Sequence, residues 1–125
     1  MATVLIIDDE SYVREMMRLM IEPLGYEVVE AENGAIASKF IQNTTPDLII
    51  TDIVMPEKNG IDVIMEVKKS SNPIPIIAIS GGGGITGRFD YLEIAKLVGA
   101  ENILKKPFAM EELRSLVENI LQEKE

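Results

Sequence analysis

Residues 4–9 read Val4-Leu5-Ile6-Ile7-Asp8-Asp9, an apolar run that stops abruptly at two carboxylates. A strand whose apolar residues are continuous rather than alternating is typical of a parallel sheet that is covered on both faces. Leu48 to Thr51 has the same form and stops at Asp52. Pro75 to Ile79 stops at Ser80 in the same way. The sequence therefore predicts buried parallel strands that each end at a polar side chain.

Helical patterns lie between the strands. Glu27 to Ala31 and Asn102 to Lys105 are two further short strands, and apolar residues recur at helical spacing between and after the strands. The apolar residues of the first helix recur at Val13, Met16, Met17, Met20 and Leu24, and the three methionines are expected to be core residues. Ser11 is the expected N-cap of this helix. Five strands alternating with five helices predict one α/β domain over residues 1–125, built on a parallel sheet.

The composition restricts the chemistry that this domain can perform. The chain has 125 residues, of which 46% are hydrophobic, so it can bury a core without disulfides. It contains no Cys and no His, which are the usual ligands of transition metals. Any metal is therefore expected to be a hard cation held by oxygen atoms, such as Mg²⁺ or Ca²⁺.

The charge balance restricts the partners. The net charge of −9, from 12 basic and 21 acidic residues, disfavours nucleic-acid binding. The apolar runs are too short to cross a bilayer, so no membrane partner is expected. We expect a cytoplasmic protein that is a monomer or a weak dimer.

Polar residues are expected to converge at one edge of the sheet. Because parallel strands end at the same edge, Asp8, Asp9 and Asp52 should meet there. Ser80 and Lys106 bring a hydroxyl and an ammonium to the same edge. Three close carboxylates repel one another, and a cation such as Mg²⁺ relieves that repulsion. A carboxylate held near Mg²⁺ can attack a phosphoryl group and form an acyl phosphate, whose oxygens the ammonium and hydroxyl can contact.

These motifs resemble those of response-regulator receiver domains in two-component signalling. The segments that carry the resemblance are Leu5 to Glu10, Asp52 with Met55-Pro56 and Gly60 after it, Ser80, and Lys106-Pro107-Phe108. They follow one another in the family's order and span essentially the whole chain. The resemblance implies a flavodoxin-like three-layer α/β sandwich, whose five-stranded parallel sheet has the strand order 2-1-3-4-5.

The resemblance also implies roles for the edge residues. Asp52 is the expected phosphoacceptor, and its donor is a histidine kinase or a histidine phosphotransfer protein. The expected Mg²⁺ ligands are Asp8, Asp9, Asp52 and the backbone carbonyl of Val54. Asp9 is the more direct ligand of the acidic pair. Such a domain assists its own phosphorylation and dephosphorylation and is not an enzyme with an outside substrate.

The residues expected to sense the phosphate lie on the fourth and fifth strands. Ser80 and Lys106 should contact the phosphoryl group, with Ser80 moving as a switch. The bond between Lys106 and Pro107 is expected to be cis, because its counterpart is cis in the family. Ile103 stands where the family often has an aromatic switch residue, so its part in switching differs or is lost. Gly81 to Gly84 predict a mobile loop that phosphate capture would order.

The output surface is expected on the fourth helix, the fifth strand and the last helix. Its candidate residues are Ile94, Ile103 and Lys105. An unidentified downstream protein would dock there, whether the domain stands alone or is excised from a longer chain.

Other interpretations were weighed against this one. Taken singly, the acidic pair could cap the first helix and Lys106 could be a solvated lysine, but their joint placement at strand ends argues against this. A flavodoxin-like FMN electron carrier would need a Ser-, Thr- or Gly-rich loop where Asp8 and Asp9 stand. An aspartyl-phosphate phosphatase would need an acid at Val54. Gly82 to Phe89 lacks the Lys-Ser/Thr ending of a nucleotide phosphate loop.

Overall fold

The protein is described by a computed structural model over residues 2–53, 60–70, 74–80, 95–96, 99–106 and 108–124. The strands are β1 (Thr3–Ile7), β2 (Glu27–Ala31), β3 (Leu48–Asp52), β4 (Ile76–Ser80) and β5 (Asn102–Lys105). The helices are α1 (Ser11–Ile21), α2 (Gly34–Asn43), α3 (Gly60–Lys69) and α4 (Met110–Lys124), with a 3₁₀ turn at Glu22–Leu24 after α1.

The sheet is parallel throughout and has the order β2-β1-β3-β4-β5. The predicted strand order is therefore confirmed. β3 lies at the centre, and all five of its residues are buried, which agrees with its unbroken apolar run. The chain leaves β1 in one direction and β3 in the other, so the crevice between their ends is the point where ligands bind in open α/β sheets.

Helices cover both faces of the sheet. On one face, the side chains of α2 and α3 pack against Leu5, Ile49 and Ala78. On the other, α1 and α4 pack against Ile6, Ile50 and Ile77. This confirms the three-layer sandwich. Within the described ranges, every helix is too short or too polar to cross a membrane.

Two expectations for α1 were wrong. Met17 is buried at 1% exposure, but Met16 is 45% exposed, because the buried face follows Val13, Met17 and Ile21 at four-residue spacing. Ser11 is the first residue of the helix rather than its cap. Glu10 holds the cap position without a side-chain hydrogen bond, and its carbonyl accepts from the backbone N–H groups of residues 13 and 14.

Some sequence predictions fall outside the described residues. They concern Val54, Ile94, Pro107 and the run Gly81 to Gly84. Of the predicted fourth helix, only Ala95 and Lys96 are described, and both are helical. The cis peptide and the carbonyl ligand at Val54 therefore stay predictions.

Candidate functional site

Asp8 is fixed where β1 leaves the sheet. Its backbone N–H donates to the carbonyl of Ala31 at 3.1 Å, which continues the pairing of β1 with β2 by one residue. Its Oδ1 accepts from the backbone N–H of Glu10 at 2.9 Å. The side chain is 1% exposed. These contacts hold the Asp8 carboxylate beneath the surface at the carboxyl edge, the edge at which all five strands end.

Asp52 lies beside it at the end of β3, and Gly60 packs behind it. Asp52 is 8% exposed. The N–H of Gly60 donates to the carbonyl of Ile53 at 2.9 Å. A Cβ atom at position 60 would lie 2.4 Å from the carbonyl oxygen of Asp52 and 2.9 Å from Cα of Ile53. Only glycine lets α3 begin this close to the end of β3. This close approach explains why position 60 is a glycine, in addition to its place in the motif.

Lys106 connects the two buried carboxylates. Its backbone N–H donates to the carbonyl of Ser80 at 2.8 Å, which carries the pairing of β4 and β5 one residue further. Its Nζ lies 3.6 Å from Oδ2 of Asp8 and 3.8 Å from Oδ2 of Asp52. These distances are those of ion pairs rather than of hydrogen bonds. The single ammonium thus forms ion pairs with two acids at once.

Burial raises the pKa of both Asp8 and Asp52, which disfavours their ionised forms. It raises the pKa of Asp52 to about 6, against the attraction of Lys106, with the nearby charge of Asp8 adding to the rise. Burial also raises the pKa of Asp8, while the N–H of Glu10 and the ammonium of Lys106 lower it. A paired set of acids with raised pKa values in a crevice is typical of a functional site.

The acidic side chains after β1 form a group that suits a cation. Carboxylate oxygens of Asp8, Asp9 and Glu10 all lie within 4.8 Å of one another. Asp52 stands outside that set and is joined to Asp8 through Lys106. The donors are all oxygen, and the buried acid would regain its charged form beside a cation, so the site fits Mg²⁺ or Ca²⁺.

Glu10 was not among the predicted ligands. Its carboxylate accepts a hydrogen bond from the hydroxyl of Tyr12 at 2.7 Å, which holds it near the acidic pair. The available signal was a third carboxylate directly after Asp8 and Asp9.

The other predicted residues differ in their burial. Asp9 is exposed. Ser80 is buried at the end of β4, next to the strand that carries Asp52. Ile103 is partly buried and packs against the cluster formed with α2 and α3. Lys105 is exposed, as the alternation of side chains along a strand predicts.

Comparison with known proteins gives consistent matches. The family model of the response regulator receiver domain matches residues 4–118. A probable transcriptional regulatory protein of Picosynechococcus is 38% identical over 119 residues, which cover 90% of this chain and 46% of that protein. Histidine kinase P4 of Formosa agariphila is 32% identical over 123 residues, which cover 97% of this chain and 9% of the kinase.

A solved structure of a related protein has the same fold. The chemotaxis protein CheY4 of Vibrio cholerae superposes with a TM-score of 0.83 at 30% identity, covering 96% of this chain and 98% of that one. The chain spans about half the length of the curated transcriptional regulators that it matches, so it corresponds to one part of those proteins.

Proposed function

The chain belongs to the response-regulator receiver family of two-component systems, and we propose that it is a phosphorylation-dependent switch in which Asp52 accepts a phosphoryl group. The observation that carries the proposal is the setting of this carboxylate. It ends the central strand, is almost fully buried, and faces an ammonium 3.8 Å away. Residues 1–125 act as a single receiver domain in this proposal.

The reaction needs Asp52 in its charged form. One carboxylate oxygen attacks phosphorus, the bond from phosphorus to the donor nitrogen breaks, and its electron pair stays on that nitrogen, which takes up a proton. Lys106 favours the charged carboxylate before attack, and its ammonium is close enough to pair with a phosphoryl oxygen afterwards. The donor is a histidine kinase or a histidine phosphotransfer protein.

The acidic pair is the proposed holder of the cation. Asp8 and Asp9 would bind Mg²⁺ together with Asp52 and the carbonyl of Val54, and Glu10 is a further candidate beside them. When bound there, Mg²⁺ supplies positive charge to the phosphoryl oxygens. Without it, the buried acids resist ionisation, which supports the proposal that phosphorylation depends on a divalent cation.

The proposed readout begins at Ser80 and Lys106, which contact the phosphate. Ser80 ends β4, the strand next to the one that carries Asp52, so we propose that its hydroxyl moves toward a phosphoryl group on Asp52. Ile103 is already partly buried against the cluster formed with α2 and α3, and its side chain is shorter than an aromatic one, so we propose that Ser80 carries more of the signal than Ile103 does.

Neither flavin binding nor conventional enzymatic activity is part of the proposed function. The flavin-binding alternative is not supported by the comparisons, and Asp8, Asp9 and Glu10 would repel a flavin phosphate after β1. Receiver domains are signalling switches rather than conventional enzymes, and we propose that this one acts on no substrate besides its own Asp52.

The test is the intact mass after incubation with Mg²⁺ and acetyl phosphate or phosphoramidate. We expect a gain of one phosphoryl group that disappears in Asp52→Asn and in EDTA. Asp62→Asn is the matched control, because it removes an exposed aspartate on α3. Phosphorylation of Asp52→Asn to the wild-type extent would refute the assignment.

A further inference from the structure

The guanidinium of Arg14 contacts the backbone at Asp8, the first residue of the acidic pair Asp8 and Asp9. Arg14, on α1, donates from Nη1 to the backbone carbonyl of Asp8. Its Nε donates to Oε1 of Glu30 at 2.9 Å. The side chain is only 14% exposed, so this is a packed contact rather than a surface ion pair. Arg14 therefore joins the site to β2 without touching any carboxylate of the acidic pair.

Glu30 holds this guanidinium in one orientation. Its second oxygen accepts from Nε of Arg18 at 2.8 Å, so both carboxylate oxygens are engaged. Glu30 is in register with Ile6 on β1, one position before Ala31, whose carbonyl accepts the N–H of Asp8. β2 thus reaches Asp8 by two routes, directly through the backbone and indirectly through Glu30 and Arg14.

The carbonyl of Asp8 is the important acceptor because the peptide unit is planar. The carbonyl of Asp8, the N–H of Asp9 and both Cα atoms lie in one plane. A donor that fixes the carbonyl therefore fixes the direction in which the Cα and the side chain of Asp9 leave the chain. Asp9 is exposed, so its position depends on its backbone more than on side-chain packing.

We propose that Arg14, oriented by Glu30, is a positioning residue that sets how tightly Asp8 and Asp9 hold a divalent cation. The inference rests on the proposed function, because it concerns the same cation site. It gives α1 and β2, which carry Arg14 and Glu30, a role in cation binding in addition to that of the ligands. Mutation of residues that orient metal ligands through a second layer of contacts typically costs about 10- to 100-fold in metal affinity or activity.

The sign of the effect distinguishes positioning from simple charge. Arg14 is a cation near a cation site, so removing its charge alone would strengthen Mg²⁺ binding. Loss of positioning would weaken it. Arg18 offers a matched control, because it pairs with the same carboxylate of Glu30 but makes its backbone contact with Val28 instead of Asp8.

The experiment titrates wild type, Arg14→Met, Arg14→Lys and Arg18→Met with MgCl₂ alone, by calorimetry, and measures each unfolding free energy. We expect Arg14→Met to raise the Kd for Mg²⁺ roughly tenfold. Arg14→Lys should weaken binding as well, since one ammonium keeps the charge but cannot bridge Glu30 and the carbonyl in the same geometry. Arg18→Met should lose stability like Arg14→Met but keep the wild-type Kd.

A second readout separates affinity from chemistry. Raising Mg²⁺ from a subsaturating to a saturating concentration should therefore increase the rate of phosphorylation by acetyl phosphate more in Arg14→Met than in the wild type. Unchanged or tighter Mg²⁺ binding in Arg14→Met, or equal weakening in Arg18→Met, would overturn the inference and leave the proposed function intact. Absence of Mg²⁺ binding in the wild type would instead overturn the proposed function and this inference with it.

Discussion

The buried position of Asp52 disfavours the charged form of its carboxylate. Burial raises its pKa from 3.8 to about 6 even though Lys106 lies 3.8 Å away. The folded protein therefore binds this proton more tightly than the unfolded chain does. The resulting contribution to the unfolding free energy is unfavourable above pH 6, and it is lost as the pH falls from about 6 to below 3.8.

The variant Asp52→Asn should show this cost directly. In EDTA at pH 7, we expect the variant to be more stable than wild type by about 2–3 kcal/mol, since a shift of one pKa unit corresponds to 1.36 kcal/mol. The asparagine side-chain oxygen can still accept from the N–H of Ile53, which contacts the carboxylate. Urea unfolding at pH 4 and pH 7 measures the difference.

The pH dependence is what identifies the cause. The advantage of Asp52→Asn should shrink strongly at pH 4, where wild-type Asp52 is protonated when folded. Glu15→Gln, at an exposed position of α1, should change stability by less than about 0.5 kcal/mol at either pH. An advantage of Asp52→Asn that is equal at both values would contradict the assigned cause.

The sequence predicted part of this site at the level of single residues. The positions of Asp8, Asp52 and Lys106 at one edge follow from where apolar runs stop, because parallel strands share that edge. The contacts of Glu10 with Tyr12 and of Arg14 with Asp8 did not follow. These contacts depend on how far α1 is rotated about its own axis relative to β2. The spacing of apolar residues predicts which face of the helix is buried, but it does not predict individual side-chain contacts.

At the level of elements, the site depends on α3 starting directly behind β3. Gly60 permits this approach, since any side chain would collide with the backbone of Asp52 and Ile53. Gly60→Ala should therefore push α3 away from the strand end and destabilise the fold by about 1–3 kcal/mol. At a temperature where the variant is fully folded, it should also be phosphorylated more slowly than wild type.

Gly25→Ala provides the comparison for Gly60→Ala. Gly25 has φ of 98° and open space around it, so alanine there costs about 1 kcal/mol of backbone strain without a collision. It precedes β2, at the opposite edge of the sheet, so phosphorylation should keep its wild-type rate. Equal rates for Gly60→Ala and Gly25→Ala, measured by intact mass over time, would show that the contact behind Asp52 has no part in the reaction.

The strands were easier to predict than the faces of the helices. The continuous apolar run from Leu48 to Thr51 defined β3 to within one residue, and the predicted bounds of β5, Asn102 to Lys105, are those of the structure. The three methionines of α1 were expected to share the core, yet only Met17 is fully buried. Methionine is apolar wherever it stands, so composition alone does not separate the inward positions of a helix from the outward ones.

For the whole molecule, cation binding and folding should be linked. A cation that binds only the folded chain stabilises it by about 2.7 kcal/mol at a concentration 100 times its Kd. We expect the unfolding free energy to rise with Mg²⁺ in this way and to return to its starting value in EDTA. Asp9→Asn should remove most of the rise, because the exposed Asp9 adds ligand charge without supporting the core.

The control for this linkage is again Asp62→Asn. It changes the net charge by the same amount but lies outside the acidic set, so its response to Mg²⁺ should match wild type. A similar rise in Asp9→Asn and wild type would place the binding of Mg²⁺ elsewhere on this acidic chain, whose net charge is −9.

The architecture as a whole was the most predictable level. The alternation of strands and helices, together with the family resemblance, predicted the parallel sheet, its strand order and the three layers. The output surface was not predictable to the same degree. Ile103 and Lys105 lie on β5 as expected, but recognition of a downstream protein depends on side chains that a folding pattern does not select.

The central claim is that the phosphoryl group forms an acyl phosphate on Asp52, and chemical trapping tests it most directly. Treating the phosphorylated protein with borohydride reduces an aspartyl phosphate to homoserine, which peptide mass mapping locates. We predict homoserine at position 52 alone, and none in protein that was not phosphorylated. Reduction at Asp8 or Asp9 instead, or a phosphoryl group that survives on the hydroxyl of Thr51 or Ser80, would contradict the account.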